Sequence, residues 1–280
     1  MNIESMLELM YITNNPNMAR IADEAGVDRV WIDLETKDKE IRQAGMNSVK
    51  SHHSISDIGV IKPLLKKAKM QVRVNHIYEN SHTEIDEVIR QGADYVMLPY
   101  YKTNDEVKKF VDYVAGRAKT ILLLETKEAV EIIDDTLSIY GVDEIHIGLN
   151  DLHLSLHQDF MFEPVSNGLV ESLSKKISIH KKPFGFGGIA KLGEGMVPSE
   201  LVIGEHYRLG STRAILSRSF CTPSATQSIQ EIRTEFTNDL NAIRAYEKRL
   251  NLEDTQYFEE NHHKFNAAVV SAIEQIRKHK

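Results

Sequence analysis

The sequence predicts a (β/α)8 barrel of the TIM type with an additional C-terminal helical extension. Three observations lead there. Short apolar runs alternate with longer polar or amphipathic stretches, the pattern of buried parallel strands joined by crossover helices. Such strand-helix units recur eight times along the chain. No GxGxxG fingerprint opens a helix after the first strand, which disfavours an open dinucleotide-binding sheet.

In chain order, LELMYIT (7–13) reads as the first strand, and NNPNMARIADEAG as a turn and a helix stopped by Gly26. DRVWIDLE (28–35) is the second strand; alternation puts Trp31, Asp33 and Glu35 on one face and Val30, Ile32 and Leu34 on the other. The acidic face must look into a polar site, because the aliphatic face is the one that can pack under helices. Residues 36–54 are polar and read as a long loop of active-site type.

Ser56 to Lys69 is amphipathic, and MQVRVNHI (70–77) is the third strand, with Arg73 and Asn75 on one face. His82 to Gly92 is a helix, ADYVMLP (93–99) the fourth strand, Asp105 to Arg117 a helix and Lys119 to Leu124 the fifth strand. Lys127 to Tyr140 reads as a helix and EIHIG (144–148) as the sixth strand. PFGFGG (183–188) and STRAILS (211–217) are the seventh and eighth, separated by ELVIGEHYRLG as a helix. From Ser228, apolar residues at 229, 232, 236, 240, 243, 246 and 250 define one helical face, opened by a Ser228–Glu231 capping box. A second stripe holds Phe258, Phe265, Val269, Ala272, Ile273 and Ile276, to be buried against the barrel or another subunit. The expected division is a barrel core over 1–222 and C-terminal helices over 223–280, namely the eighth barrel helix and a packing or subunit-exchange helix.

Composition narrows the partners. The 280 residues, 41% hydrophobic, suffice for one large core. A formal charge of −7 leaves no basic field to collect phosphate backbones, so nucleic acid is not an expected partner. The single cysteine, Cys221, rules out an internal disulfide and fits a reducing compartment, and no membrane-spanning run or basic leader is seen. A soluble, cytoplasmic protein is expected.

Glu125 and Asp151 each follow an apolar run, ILLL and EIHIGLN. Chemistry in barrels gathers at the carboxyl ends of the strands. Two carboxylates converging there are most simply held by a hard divalent cation, although each could instead cap the following helix. With Asp33 and Glu35 added, four acids in one mouth would repel one another strongly. Arg73 can neutralise Asp33 or Glu35, grip a substrate carboxylate in a fork, or do both.

DRVWIDLET, QVRVN, GADYVMLP, LLLETKEAV and IHIGLNDLHLSL, in this order and spacing, resemble the HpcH/HpaI aldolase and citrate lyase beta-subunit family of metal-dependent barrels, over Ile12 to Phe220. The resemblance implies that Glu125 and Asp151 ligate Mg²⁺ or Mn²⁺ and that Arg73 contacts the keto acid or its enolate. Backbone amides around Gly148 and Asn150 would receive the carboxylate, and Glu35 would join the network of metal-bound water. The implied activity is carbon–carbon cleavage or formation between a 2-keto acid such as pyruvate and an aldehyde, by a homo-oligomer, through a metal-stabilised enolate. A citrate lyase-like CoA-ester lyase and a non-catalytic metal-binding barrel are the alternatives. A lysine Schiff base is disfavoured because strands VMLP, ILLLE and EIHIG carry no lysine.

One departure stands out. Hydroxy-keto-acid aldolases of this family commonly carry a proton-transferring histidine directly after the second-strand acid, and citrate lyase-like members an aspartate; here the residue is Thr36. His52 or His53 could carry the proton instead, or both could be solvated loop residues. His153 and His157, four apart on one expected helix, could with Asp151 imitate a zinc set, a reading set aside in favour of packed or solvated side chains. Gly187, Gly188, Ser211 and Arg213 fall in the usual phosphate-binding region of barrels and could hold a phosphate or polar tail; glycines could equally serve a tight turn.

Overall fold

A computed structural model describes residues 6–36, 53–217, 220–224 and 226–278. Eight strands close into a barrel in sequence order: β1 (Glu8–Ile12), β2 (Arg29–Asp33), β3 (Lys69–Arg73), β4 (Tyr95–Leu98), β5 (Lys119–Leu124), β6 (Glu144–Ile147), β7 (Phe184–Ile189) and β8 (Arg213–Leu216). The expected (β/α)8 barrel with extra C-terminal helices is therefore the observed fold. The chain comprises two compact units, Tyr11–Ile145 and the combination of Met1–Met10 with His146–Lys280.

In the first unit, α1 (Pro16–Ala25) starts because Asn15 Oδ1 accepts from the N–H groups of Asn17 and Met18, with proline at the first helical position. It stops at Gly26, whose φ of 101° is open to glycine. β2 is buried at every residue and pairs in parallel with β3, in a register that sets Asp33 opposite Arg73. The amphipathic stretch from Ser56 is not one helix to Lys69. α2 (Ile55–Ile61) gives way to a 3-10 turn at Lys62–Leu64, because Pro63 cannot continue an α-helical ladder, and Lys69 already belongs to β3. Next come α3 (Ser81–Arg90) and α4 (Asn104–Val114), the latter opened by a Thr103–Glu106 capping box. The expected helix over 127–140 is two short ones, α5 (Lys127–Glu131) and α6 (Ile133–Leu137), broken where Ile132 leaves helical geometry at ψ 7°.

In the second unit β8 lies between β7 and β1, with Glu8 opposite Arg213. β7 carries a register shift between Gly185 and Gly188. A Cβ on Gly185 would collide with the Arg213 carbonyl, so the close approach of β7 to β8 needs glycine. α7 (Leu149–Ser155) follows β6, and α8 (Glu163–Ser166) and α9 (Leu169–Ile179) precede β7. Neither α8 nor α9 is among the sequence expectations. α10 (Ser199–Leu209) leads to β8, α11 (Ile229–Leu250) begins at the Ser228–Glu231 capping box, and α12 (Thr255–Lys278) ends the chain.

The second apolar stripe is only half buried within the chain, with Phe258, Ile273 and Ile276 partly exposed. Phe265, Val269 and Ala272 are buried, Phe265 meets Phe162 edge-to-face at 5.8 Å, and Asn261 donates to Leu201 O and Glu205 Oε1 of α10. Among the described residues, no helix is long and apolar enough to cross a membrane.

Candidate functional site

Asp33 and Arg73 are the last residues of neighbouring parallel strands and face each other in register, so their side chains meet on one face. Arg73 Nε donates to Asp33 Oδ1 and Nη2 to Asp33 Oδ2, both at 2.8 Å, a two-pronged fork. Nη1 lies 3.2 Å from Glu35 Oε2. Asp33 is 1% and Glu35 2% exposed. Burial alone would lower the Arg73 pKa, but Asp33 and Glu35 more than offset it, with a further contribution from Glu125, and the pKa rises well above its ordinary value. Arg73 is thus a permanent cation shared by two buried acids.

That pairing corrects one step of the sequence argument. Asp33 and Glu35 are not unpaired acids: they share the Arg73 guanidinium, which offsets one of their two negative charges and weakens, without removing, their part in the argument from repulsion.

Glu125 directly follows β5 and is 3% exposed. Its Oε1 accepts the Tyr100 N–H at 2.9 Å. Tyr100 holds φ at +51°, a conformation uncommon for a residue with a side chain and one that costs roughly 1–3 kcal/mol. The backbone after β4 is thereby bent so that an amide points at the carboxylate. Thr126 caps α5, accepting from Ala129 N, and donates to Tyr101 O, so the segment holding Glu125 is tied to the loop after β4. Tyr101 is buried, and burial first, then the Glu125 charge, raises its phenol pKa and keeps it protonated. Tyr100 and Tyr101 were not singled out in the sequence. Their only signal is the position of LPYY at a strand end.

In the other unit, Asp151 stands in the first turn of α7 and is 8% exposed. The strand itself ends at Ile147 and Gly148 is the helix N-cap, so Asp151 is neither the strand terminus nor the capping residue. Asn150 is exposed on the same turn, and its Nδ2 donates to Asp151 Oδ1 at 3.4 Å. First-turn amides of any helix lack intrahelical acceptors, as a carboxylate receiver requires.

His153 is buried, with Nδ1 3.2 Å from Leu149 O, whereas His157 lies beyond the end of α7 at φ +56°. They do not share a helix face, and the zinc imitation falls away. Gly187 and Gly188 lie in the carboxyl half of β7, but Ser211 precedes β8 and Arg213 opens it, at the amino end, where its Nη2 donates to Glu8 Oε1 at 3.1 Å. The four residues do not form one phosphate site. The opposite end of β2 holds a group missed in the sequence: Arg29 forks on to Glu144 at 2.8 and 2.9 Å and stacks 3.8 Å over Tyr95.

Most of the expected long loop, and His52 within it, lies outside the described residues. His53 is described, and its Nδ1 accepts the Asp33 N–H at 2.9 Å. Among the described residues, no group of three or more His, Cys, Asp or Glu side chains is arranged to hold a metal ion. Glu125 and Asp151 are nonetheless hard oxygen donors of the kind Mg²⁺ and Mn²⁺ take, and such cations commonly bind one or two carboxylates and complete their shell with water and substrate. The donor chemistry fits.

The HpcH/HpaI aldolase/citrate lyase family model matches residues 8–186. An HpcH/HpaI aldolase from Desulfitobacterium hafniense DCB-2 is similar in structure, at 16% identity and a TM-score of 0.59, covering 85% of this chain and 93% of its own. The citrate synthase SbnG aligns at 18% identity and a TM-score of 0.57, covering 89% and 96%. An HpcH/HpaI aldolase/citrate lyase family protein from Burkholderia cenocepacia J2315 aligns at 15% and 0.60, covering 82% and 95%. At these identities the structural likenesses speak for the fold. Comparison with curated protein sequences gives no match. The match over most of its length places the chain in the HpcH/HpaI aldolase/citrate lyase family, and with it in a class of lyase enzymes.

Proposed function

We propose that this family member is a divalent-metal-dependent carbon–carbon lyase of the aldolase class, acting on a 2-keto acid such as pyruvate and an aldehyde. The observation that carries the reading is the Arg73 fork, a permanent cation at the carboxyl ends of β2 and β3 that also feels the Glu125 charge. Glu125 and Asp151 would hold Mg²⁺ or Mn²⁺, and the cation when bound would supply a Lewis acid for the keto and carboxylate oxygens. Arg73 adds positive charge where an enolate oxygen gains negative charge, and being already oriented by Asp33 and Glu35 it does so without reorganising. Backbone amides around Gly148 and Asn150 receive the substrate carboxylate. Glu35, fixed on Arg73, keeps that guanidinium in place and offers an oxygen to nearby water. The single-cysteine, acidic chain fits a cytoplasmic setting.

The test is solvent deuterium entering the methyl group of pyruvate in the presence of Mg²⁺ or Mn²⁺. Exchange by the parent, lost in Glu125→Ala and in Asp151→Ala while both stay folded, supports the reading. A folded, metal-supplied parent that exchanges nothing would instead favour a barrel that binds without catalysing.

A further inference from the structure

Two residues beyond the end of β3, Asn75 finishes the ladder that carries the Arg73 fork. Leu34 N–H donates to Arg73 O, and the next amide on the same edge of the chain belongs to Thr36. Thr36 N–H meets Asn75 Oδ1 at 3.0 Å, so a side chain supplies this rung. Asn75 Nδ2 in turn donates to Glu84 Oε1 at 2.7 Å, and Asn75 N–H approaches the same oxygen at 3.4 Å. Asn75 and Glu84 are both buried. Glu84 stands in the first turn of α3, where the aligned peptide dipoles favour a negative charge.

This chain of contacts runs in one direction. Asn75 must turn Oδ1 to Thr36, because Nδ2 has no lone pair to offer an N–H, and must turn Nδ2 to the carboxylate. The pairing with Glu84 therefore decides the rung to Thr36. Thr36 follows Glu35 directly. β2 ends at Asp33, so the backbone ladder no longer fixes Glu35, and the Asn75 rung takes over that task. With Leu34 and Thr36, one on each side of Glu35, both held on the β3 edge, the Glu35 side chain is left on the face of Arg73. There its Oε2 lies 3.2 Å from Arg73 Nη1, while its own amide donates to Asp33 Oδ1 at 3.3 Å.

We propose that Asn75, anchored by Glu84, is the positioning residue that sets the Glu35 carboxylate on Arg73 and so holds the guanidinium square to the enolate; this rests on the lyase reading above. In this role Asn75 acts through Glu35 alone. Without the rung the Asp33 fork remains, but Glu35 and the oxygen it offers to water lose their fixed place. The loss then falls on turnover and not on pyruvate affinity.

The test is solvent deuterium exchange into pyruvate with Mg²⁺ or Mn²⁺, in the parent and in variants whose folding is checked by circular dichroism. Asn75→Asp keeps the acceptor for Thr36 but sets a second carboxylate against Glu84. Its kcat should fall about 10- to 100-fold, the loss usual when the partner behind a working group is removed, with KM for pyruvate within about 3-fold of the parent. Adding Glu84→Gln exchanges donor and acceptor between the two positions and should return kcat to within about 3-fold of the parent. Glu35→Gln is slow by itself, and in that background Asn75→Asp should cost less than about 2-fold more, whereas a purely structural loss would multiply through. Equal kcat losses with and without Glu35→Gln overturn the inference. So does an Asn75→Asp protein at the parent rate, and so does a double exchange that restores nothing. Should Asn75→Asp not fold, Glu84→Ala takes its place: a kcat loss of about 10-fold is expected, and the parent rate overturns the inference. Absence of exchange in the parent strikes the lyase reading itself. A readout that needs neither turnover nor a variant is the Thr36 amide proton, which should exchange with solvent at least about 10-fold more slowly than in an unstructured peptide; an unprotected amide refutes the rung.

Discussion

Removing Arg73 should unfold much of what the site is built on before it says anything about substrate. In Arg73→Ala, Asp33 and Glu35 stay buried with their shared cation gone, and breaking a buried ion pair from one side costs about 3–5 kcal/mol. Most of this cost lies in the two stranded carboxylates. Asp33→Asn and Glu35→Gln in the same chain should therefore recover most of it. Arg73→Lys keeps a charge but not the two-pronged geometry, and should lose about 1.5–3 kcal/mol, the worth of a hydrogen bond between charged groups. Urea denaturation at pH 7.5, followed by far-UV circular dichroism, measures all three. An Arg73→Ala protein within about 1 kcal/mol of the parent, or a triple variant no better than the single one, would refute the account of a pre-paired guanidinium. The stability series must precede kinetics, because only in the folded Arg73→Lys protein does a split between KM and kcat report on substrate contact.

Three further outcomes follow from the described contacts. His206 is fully buried, stacked 3.8 Å from Phe186 with Nδ1 2.7 Å from Ser211 Oγ, and burial, aided by His146, pushes its pKa down from 6.5 to about 3. Its neutral form is the folded one, so its contribution is complete above pH 6.5 and is lost as pH falls toward 3. At pH 5 this amounts to roughly 2 kcal/mol relative to pH 7.5, and His206→Phe should flatten the pH dependence of the urea midpoint by that amount. An unchanged slope would count against it. Glu144→Ala should cost about 3–5 kcal/mol by stranding Arg29, whereas Glu144→Ala with Arg29→Met should cost less, as measured by the same titration. Ser228→Ala should remove about 1 kcal/mol, since Ser228 and Glu231 satisfy each other's amides at the start of α11; a loss below 0.3 kcal/mol would mean that the box contributes nothing.

The barrel was legible because its strands are runs of consecutive apolar residues and its helices end on residues with one clear conformational reason, such as Gly26 and Gly210 at positive φ. β5 was read to the residue, Lys119–Leu124, because TILLL is flanked by lysine and glutamate. The break at Ile132 was not legible, since EIIDD is as good a helical sequence as the turns around it. Nor was the Arg29–Glu144 pair, whose partners lie 115 residues apart and meet only when the strands are placed. Arg213 misled for a related reason: sequence put it on the eighth strand, but the strand starts at that residue, so it belongs to the amino end with Glu8.

The acids divide along the same line. Alternation correctly put Asp33 on one face of β2, and register then determined its partner, so the Asp33–Arg73 fork follows from strand pairing. Glu35 lies beyond the strand, where alternation no longer constrains it, and it reaches Arg73 all the same. With these two acids sharing one guanidinium, the case for a divalent cation rests chiefly on Glu125 and Asp151, together with the family to which the chain belongs. The consequence is a separable pair of losses. Glu125→Ala and Asp151→Ala should remove enolisation without removing the Arg73 fork, while Arg73→Ala should remove the fork and stability together. If instead Glu125→Ala left exchange intact in a folded protein, the cation would have to be held without that carboxylate, and the proposed reading would fail at its ligands rather than at its fold.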